Sequence, residues 1–507
     1  MKRDAFQLAT AAALATACAA VVMLAGPTSA GAVGLGALDP RVCSPARAQA
    51  YRDFLNLSVP IPAGLAPNDP AAKDVAANHY VEMFDGRFAC GDSAEHFGNV
   101  IDAYKAAFAH RRADGTRIPL VLHFHGGLVA GDGGFGAPVA GQNAVWNSYT
   151  KYGFPVFFMW HSGPGEIGAR EVLPQSGHIT TAHGLVNRWD FINERAAERE
   201  RNGTGHPDFP TRGPITYAER VNLREEQLRH ENLVNGANMW RHMEREIDES
   251  MERKGDRGGY LMVKSIAELA ADPDFRVVLV GHSMGTIFAS RMIETYKAYV
   301  DDHPELPGGA RNFKFDVVFL APAVKYRDFD RALRTGKIAN FRMFTLYDRC
   351  ERLDHVARGQ FGTGGLKALN DLYPRSLLYY ISAVTSEYPD LPLVGMHRFM
   401  EDPPDKDDVL VNSVNKSMLD FGQPTKSPPG FDRSIVLSPT SENHAGVNVG
   451  FEANSISHGG FDGDGAVLNS IEEIVNRGFA PSAAPSPHAT HDPKVATCGA
   501  NESKALR

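Results

Sequence analysis

Long apolar runs, paired cysteines and charge of one sign are all scarce in this chain of 507 residues. Beyond residue 30 no stretch is long and apolar enough for a membrane helix, so no stable span is expected once a leader is removed. The net charge of −8 is mild for this length and offers no general pull toward nucleic acid or anionic lipid, so neither is expected as a partner. No two of the five cysteines stand at a C-x-x-C spacing, which argues against a zinc site. No dinucleotide fingerprint or internal repeat stands out, and the glycine-rich Gly131-Asp132-Gly133-Gly134-Phe135-Gly136 lacks the Gly-Lys-Ser/Thr ending of a phosphate loop. Neither a cofactor nor a metal is therefore expected.

The ends are distinctive. Met1-Lys2-Arg3 is a short basic start, an Ala/Leu/Val-rich stretch follows from Phe6 to Leu24, and Gly26-Pro27 breaks it before the small residues Thr28-Ser29-Ala30. This is the pattern of a secretory signal peptide over residues 1–30, and it implies an exported protein, secreted or periplasmic. Cys18 lacks the large aliphatic residue that a lipoprotein site needs three positions earlier, and the apolar run continues past it. Export leaves Cys43, Cys90, Cys350 and Cys498, for which an oxidising compartment makes at least one disulfide plausible. The stretch over 480–507, rich in Ala, Pro, Ser and His, reads as a loose tail tethered by Cys498.

Between these ends, 43% hydrophobic residues suffice for a substantial core. Short, continuous apolar runs at Ile118–Phe124, Phe154–Met159, Arg276–Val280, Phe315–Leu320, Phe341–Leu346 and Ser434–Leu437 read as strands covered on both faces. Helical patterns fill many of the gaps, so the expected class is α/β, a mostly parallel doubly wound sheet over residues 31–479. It is interrupted by a long, partly helical insertion over 161–260, whose half from Thr216 to Lys254 carries amphipathic helices and could cap a site.

The pentapeptide Gly281-His282-Ser283-Met284-Gly285 lies between an apolar strand and a helical run. G-x-S-x-G in that setting holds a serine on a sharp bend with its hydroxyl exposed, and the glycines are needed because side chains would collide as the chain doubles back. Ser283 is thus the candidate nucleophile. A serine hydroxyl requires a base, an acid to orient it and donors for the developing oxyanion. For the donors, strand Ile118–Phe124 runs into His125-Gly126-Gly127-Leu128. Gly127 or Leu128 would supply one N–H and Met284 the other, with His125 a structural hydrogen-bonder. For the base, His458 in Ser457-His458-Gly459-Gly460-Phe461 precedes a final helix marked by Val467, Leu468, Ile471, Ile474 and Val475; His444 and His397 are the alternatives. For the acid, one loop after strand Phe341–Leu346 carries Asp348, Glu351 and Asp354, and Glu351 is favoured as able to turn back toward the sheet's edge. Asp462-Gly463-Asp464-Gly465 fails the EF-hand pattern, and its carboxylates suit the start of the last helix.

Together these motifs resemble the α/β-hydrolase superfamily over roughly Ile118 to Phe479. The likeness rests on the His-Gly-Gly turn, the His-Ser-Met-Gly elbow, the Ser-His-Gly-Gly-Phe loop and the order serine, acid, histidine. It implies a nucleophile at the carboxyl edge of the sheet and hydrolysis through an acyl-enzyme, as in lipases and esterases, with a small-molecule or lipid-like ester as substrate. Peptidases and acyltransferases share the same elements, and a non-catalytic binding protein on this fold is the alternative of another class. The family usually shows one aspartate where this loop carries three carboxylates.

Overall fold

Strands buried along their whole length have no solvent face, and in the computed structural model they make up the middle of one sheet. The structure describes residues 78–89, 93–112, 114–127, 145, 148–160, 162, 225, 236–354, 356, 373, 375–386, 388, 390–401, 408–422, 434–440, 450–479 and 498. Eight strands are found among them: β1 (Tyr80–Phe84), β2 (Arg87–Phe88), β3 (Leu120–Phe124), β4 (Phe154–Trp160), β5 (Val277–His282), β6 (Phe315–Leu320), β7 (Ile338–Leu346) and β8 (Ile435–Ser438). They lie in the order β2-β1-β4-β3-β5-β6-β7-β8. Only β2 runs antiparallel to its neighbour; every other adjacent pair is parallel. The expected α/β class and mostly parallel sheet are observed. The sheet also begins earlier than the apolar runs suggest, with β1 and β2 ahead of Ile118.

Successive residues of a strand face opposite sides, and here each side has its own core. Val277 and Leu279 pack with Met262, Ile266, Phe288 and Met292 from helices α3 (Gly258–Leu269) and α4 (Gly285–Asp302). Val278 and Val280 pack with Val467, Ile471 and Ile474 of the final helix, Gly465–Arg477. Helices α1 (Ala94–Ala109), α2 (Gly236–Ser250), α5 (Tyr326–Arg334), α6 (Asp348–Leu353) and α7 (Val409–Asp420) complete the described set used below, and the final helix is α8. No helix among the described residues is long and apolar enough to cross a membrane.

The chain leaves β3 toward β4 on one side and returns to place β5 on the other. The carboxyl ends of β3 and β5 therefore flank a topological switch point, where an open α/β sheet leaves a crevice. Of the insertion expected over 161–260, α2 is described, and it packs on α4. Most of 161–235, like the loop 131–136, His444, Cys43 and Cys90, lies outside the described residues. Cys498 is bonded to Cys350 of α6, with their Cα atoms 5.3 Å apart.

Candidate active site

Ser283 occupies the switch point, between the last residue of β5 and the first turn of α4, with a left-handed φ of 51°. Such an angle strains any residue with a Cβ, and the surrounding bonds hold it there. The Ser283 N–H donates to the Leu320 carbonyl at 2.8 Å, and its own carbonyl accepts from Ala323 N–H at 3.1 Å and Thr286 Oγ1 at 2.6 Å. The flanking glycines answer to sterics. A Cβ on Gly285 would sit 2.0 Å from the Phe124 carbonyl oxygen, and one on Gly281 would sit 2.8 Å from the Gly285 backbone.

The two residues that sequence order singles out as nucleophile and base meet here. His458 opens a 3-10 turn, His458–Gly463, beyond β8, and its Nε2 lies 2.8 Å from Ser283 Oγ. Both side chains are buried. Burial pushes the His458 imidazole down to about 3, with the charge of His282 acting in the same direction and Asp462 opposing. The ring is consequently neutral at ordinary pH, and its Nε2 can accept the serine proton when Nδ1 carries the hydrogen. Nδ1 has no hydrogen-bond partner among the described residues.

The favoured acid, Glu351, is not brought to His458. Glu351 is buried in α6, and neither carboxylate oxygen forms a hydrogen bond among the described residues, to His458 or to any other group. Burial holds its carboxyl well above the usual range, the Asp354 and Asp348 charges add to this, and the nearby Ser376 hydroxyl only opposes it. Asp348 is engaged elsewhere, accepting from Tyr379 Oη at 2.5 Å and pairing with Arg352 Nε at 3.0 Å. Asp354 is the carboxylate brought to the base: its Oδ2 accepts from the His458 main-chain N–H at 2.8 Å. The reason is local. Glu351 lies within the helix and faces the core, whereas Asp354 leaves it in an extended conformation as the C-cap, toward the loop of His458.

The His-Gly-Gly turn abuts the elbow. A Cβ on Gly126 would lie 3.4 Å from Ser283 Cβ, and one on Gly127 would meet the sulfurs of Met243 and Met284 at 3.2 Å. The amides of Gly127 and Met284 donate to no acceptor among the described residues, whereas Leu128 lies outside them. Met243 belongs to α2, so the described part of the insertion reaches this turn. His125 is structural, as expected: its Nδ1 bonds the Gly126 carbonyl at 2.7 Å, its Nε2 accepts from Trp160 N–H at 3.1 Å, and the ring stacks on Trp160. His397 is buried against Tyr347, with their ring centres 5.6 Å apart.

Two residues beside the base carry no obvious sign in the sequence. His282 Nδ1 lies 2.8 Å from Asp462 Oδ2, and its Nε2 lies 3.1 Å from the His458 carbonyl oxygen. Asp462 thus sits in the turn and does not begin α8; Asp464 alone does so, accepting from Ala466 N–H at 2.9 Å as the N-cap. Burial would raise the Asp462 carboxyl, but the His282 charge and hydrogen bond outweigh it, helped by His123 and His125, and hold it down to about 2. Burial would lower His282, yet Asp462 and the His458 carbonyl raise it above the ordinary imidazole range. The only available signal was position, His282 within the elbow and Asp462 one turn beyond the base.

No group of His, Cys, Asp and Glu among the described residues could hold a metal ion. What the arrangement can do is move a proton between a buried hydroxyl and a buried imidazole. No family model matches the chain, and no curated protein or solved structure matches it either.

Proposed function

We propose that this chain is an exported serine hydrolase of α/β-hydrolase architecture that cleaves carboxylic esters through an acyl-enzyme. The observation that carries the proposal is the 2.8 Å contact between Ser283 Oγ and His458 Nε2 at a left-handed elbow. Ser283 Oγ attacks the ester carbonyl while His458 takes its proton, giving a tetrahedral oxyanion received by the Met284 and Gly127 amides. The carbonyl–alkoxy bond breaks as His458 returns the proton to the leaving alkoxide. Water then repeats the sequence on the acyl-enzyme, its proton passing through His458 to Ser283, and the acid is released. Asp354 is the orienting carboxylate in this scheme, since of the three carboxylates of its loop it is the one that contacts His458, whose Nδ1 has no hydrogen-bond partner among the described residues.

The strand order supports the hydrolase architecture, since serine, acids and histidine follow β5, β7 and β8 in turn. An apolar or lipid-like acyl group is the favoured substrate, as the α/β-hydrolase resemblance suggests. The basic, apolar and small-residue leader supports export, and the Cys350–Cys498 pair suits an oxidising compartment.

A fluorophosphonate probe tests the core of the proposal. The mature protein should form a covalent adduct that Ser283→Ala abolishes, with ester turnover falling by roughly 10³–10⁶. An unlabelled parent, or a Ser283→Ala variant that still hydrolyses esters, would refute it. A series of esters of graded chain length, set against peptide and acyl-acceptor substrates, decides between esterase and the peptidase or acyltransferase alternatives.

A further inference from the structure

The base is held by more than its partner serine. His282 closes a bridge across the turn that carries His458: one ring nitrogen meets the carboxylate of Asp462 at 2.8 Å, the other the main-chain oxygen of His458 at 3.1 Å. Both partners can only accept. A main-chain carbonyl has no proton, and a carboxylate paired with imidazole is ionised, so two hydrogen bonds require two ring protons. A neutral imidazole has one. The groups facing this pair from the packed elements are His458 on the turn, His123 and His125 at the end of β3, and Tyr149, whose hydroxyl meets His123 Nδ1 at 3.2 Å. The other carboxylate at this turn, Asp354, accepts from the His458 main-chain N–H, while the two His282 nitrogens meet Asp462 and the His458 carbonyl.

Resting on the hydrolase reading above, we propose that His282 and Asp462 form a positioning ion pair, in which an imidazolium clamps both ends of the His458–Asp462 turn and sets its positive end toward the base. The clamp fixes the main chain of His458 opposite Ser283. The charge has a second effect, because the two rings lie with centres 5.6 Å apart and a cation at that distance opposes a second proton on His458. The base stays unprotonated and ready to accept. Asp462 confines the effect by neutralising the pair as a whole, so the His458 imidazolium that forms during turnover meets a dipole and not a bare cation.

Two measurements test the pair. In protein labelled with ¹⁵N-histidine, the His282 resonances, assigned by their loss in His282→Gln or, should that variant not fold, in His282→Asn, should show both ring nitrogens protonated at pH 7. A single neutral tautomer overturns the proposal. In the pH profile of kcat/KM, His282→Gln keeps a donor for the His458 carbonyl but removes the cation and leaves Asp462 uncompensated. Its acid limb should move to higher pH by on the order of one unit. Adding Asp462→Asn removes both charges and should return the limb toward that of the parent. Limbs that coincide in the parent, the single and the double variant would mean a packing role alone and overturn the proposal. The nitrogen spectrum needs no turnover, so failure of this inference is distinguishable from failure of the hydrolase assignment.

Discussion

At φ 51°, Ser283 holds an angle that costs a side-chain-bearing residue roughly 1–2 kcal/mol and glycine almost nothing. The nucleophile position should therefore be one where loss of activity and gain of stability coincide. Ser283→Gly is expected to be more stable than Ser283→Ala by about 1 kcal/mol in urea unfolding, with both inactive; equal midpoints would show that the elbow is unstrained. The acid is the other question decided by single side chains. Asp354→Asn should lower kcat/KM by roughly 10²–10⁴, whereas Glu351→Gln, at a carboxyl whose ionisation burial disfavours and whose oxygens form no hydrogen bond to His458, should change it little. A larger fall in Glu351→Gln would return the role to Glu351. The charge of His282 also belongs to this scale, and it follows from counting protons against acceptors.

At the scale of elements, the elbow works because two strands and a helix, β3, β5 and α4, approach more closely than any side chain allows. With a Gly285 Cβ only 2.0 Å from the Phe124 carbonyl of β3, Gly285→Ala must push α4 off the sheet. It is expected to destabilise by at least about 3 kcal/mol or to prevent folding, while Gly459→Ala, where a Cβ meets nothing within 4 Å, should melt like the parent. These elements were largely legible in the sequence. Runs such as Val277–Val280 and Val317–Leu320 are apolar at every position because helices cover both faces, and the six strands read from such runs are observed with ends shifted by no more than three residues. What escaped was less periodic. Strand β1 carries Glu82 inside an otherwise apolar run, and β2 is only two residues long. The pairing of Ser283 with His458 was inferable because their chain order and glycine-flanked loops are local properties. The acid was not, since three carboxylates within seven residues differ only in which way a short helix turns them. Nor was the bond between His282 and Asp462, 180 residues apart, which exists only once β5 and the turn are packed together.

For the whole molecule, the consequence of assembling neutral histidines at the centre of a sheet is sensitivity to acid. His123 in β3 and His458 at the elbow are both buried, and burial pushes them down to about 4 and about 3. In the unfolded chain each regains an ordinary value near 6.5. The unfolded state then binds more protons below that value, so the stability these residues confer is fully present above about pH 6.5 and is lost as pH falls through the folded values. His282 has the opposite sign, its value being raised, but it is protonated in both states below about pH 6.5 and drops out of that window. Asp462, held down to about 2, keeps its stabilisation across this window and loses it only below the ordinary carboxylate range. Between pH 6.5 and 4, therefore, unfolding should take up about two extra protons from this cluster, with a loss on the order of 2–3 kcal/mol per histidine. Urea unfolding measured across that interval should show ΔG falling with pH, and His123→Gln should flatten the slope by about one proton while leaving the contribution of His458 in place. A slope identical in parent and variant would mean that His123 gains its proton without unfolding, and that the centre of the sheet admits a charge which burial there disfavours.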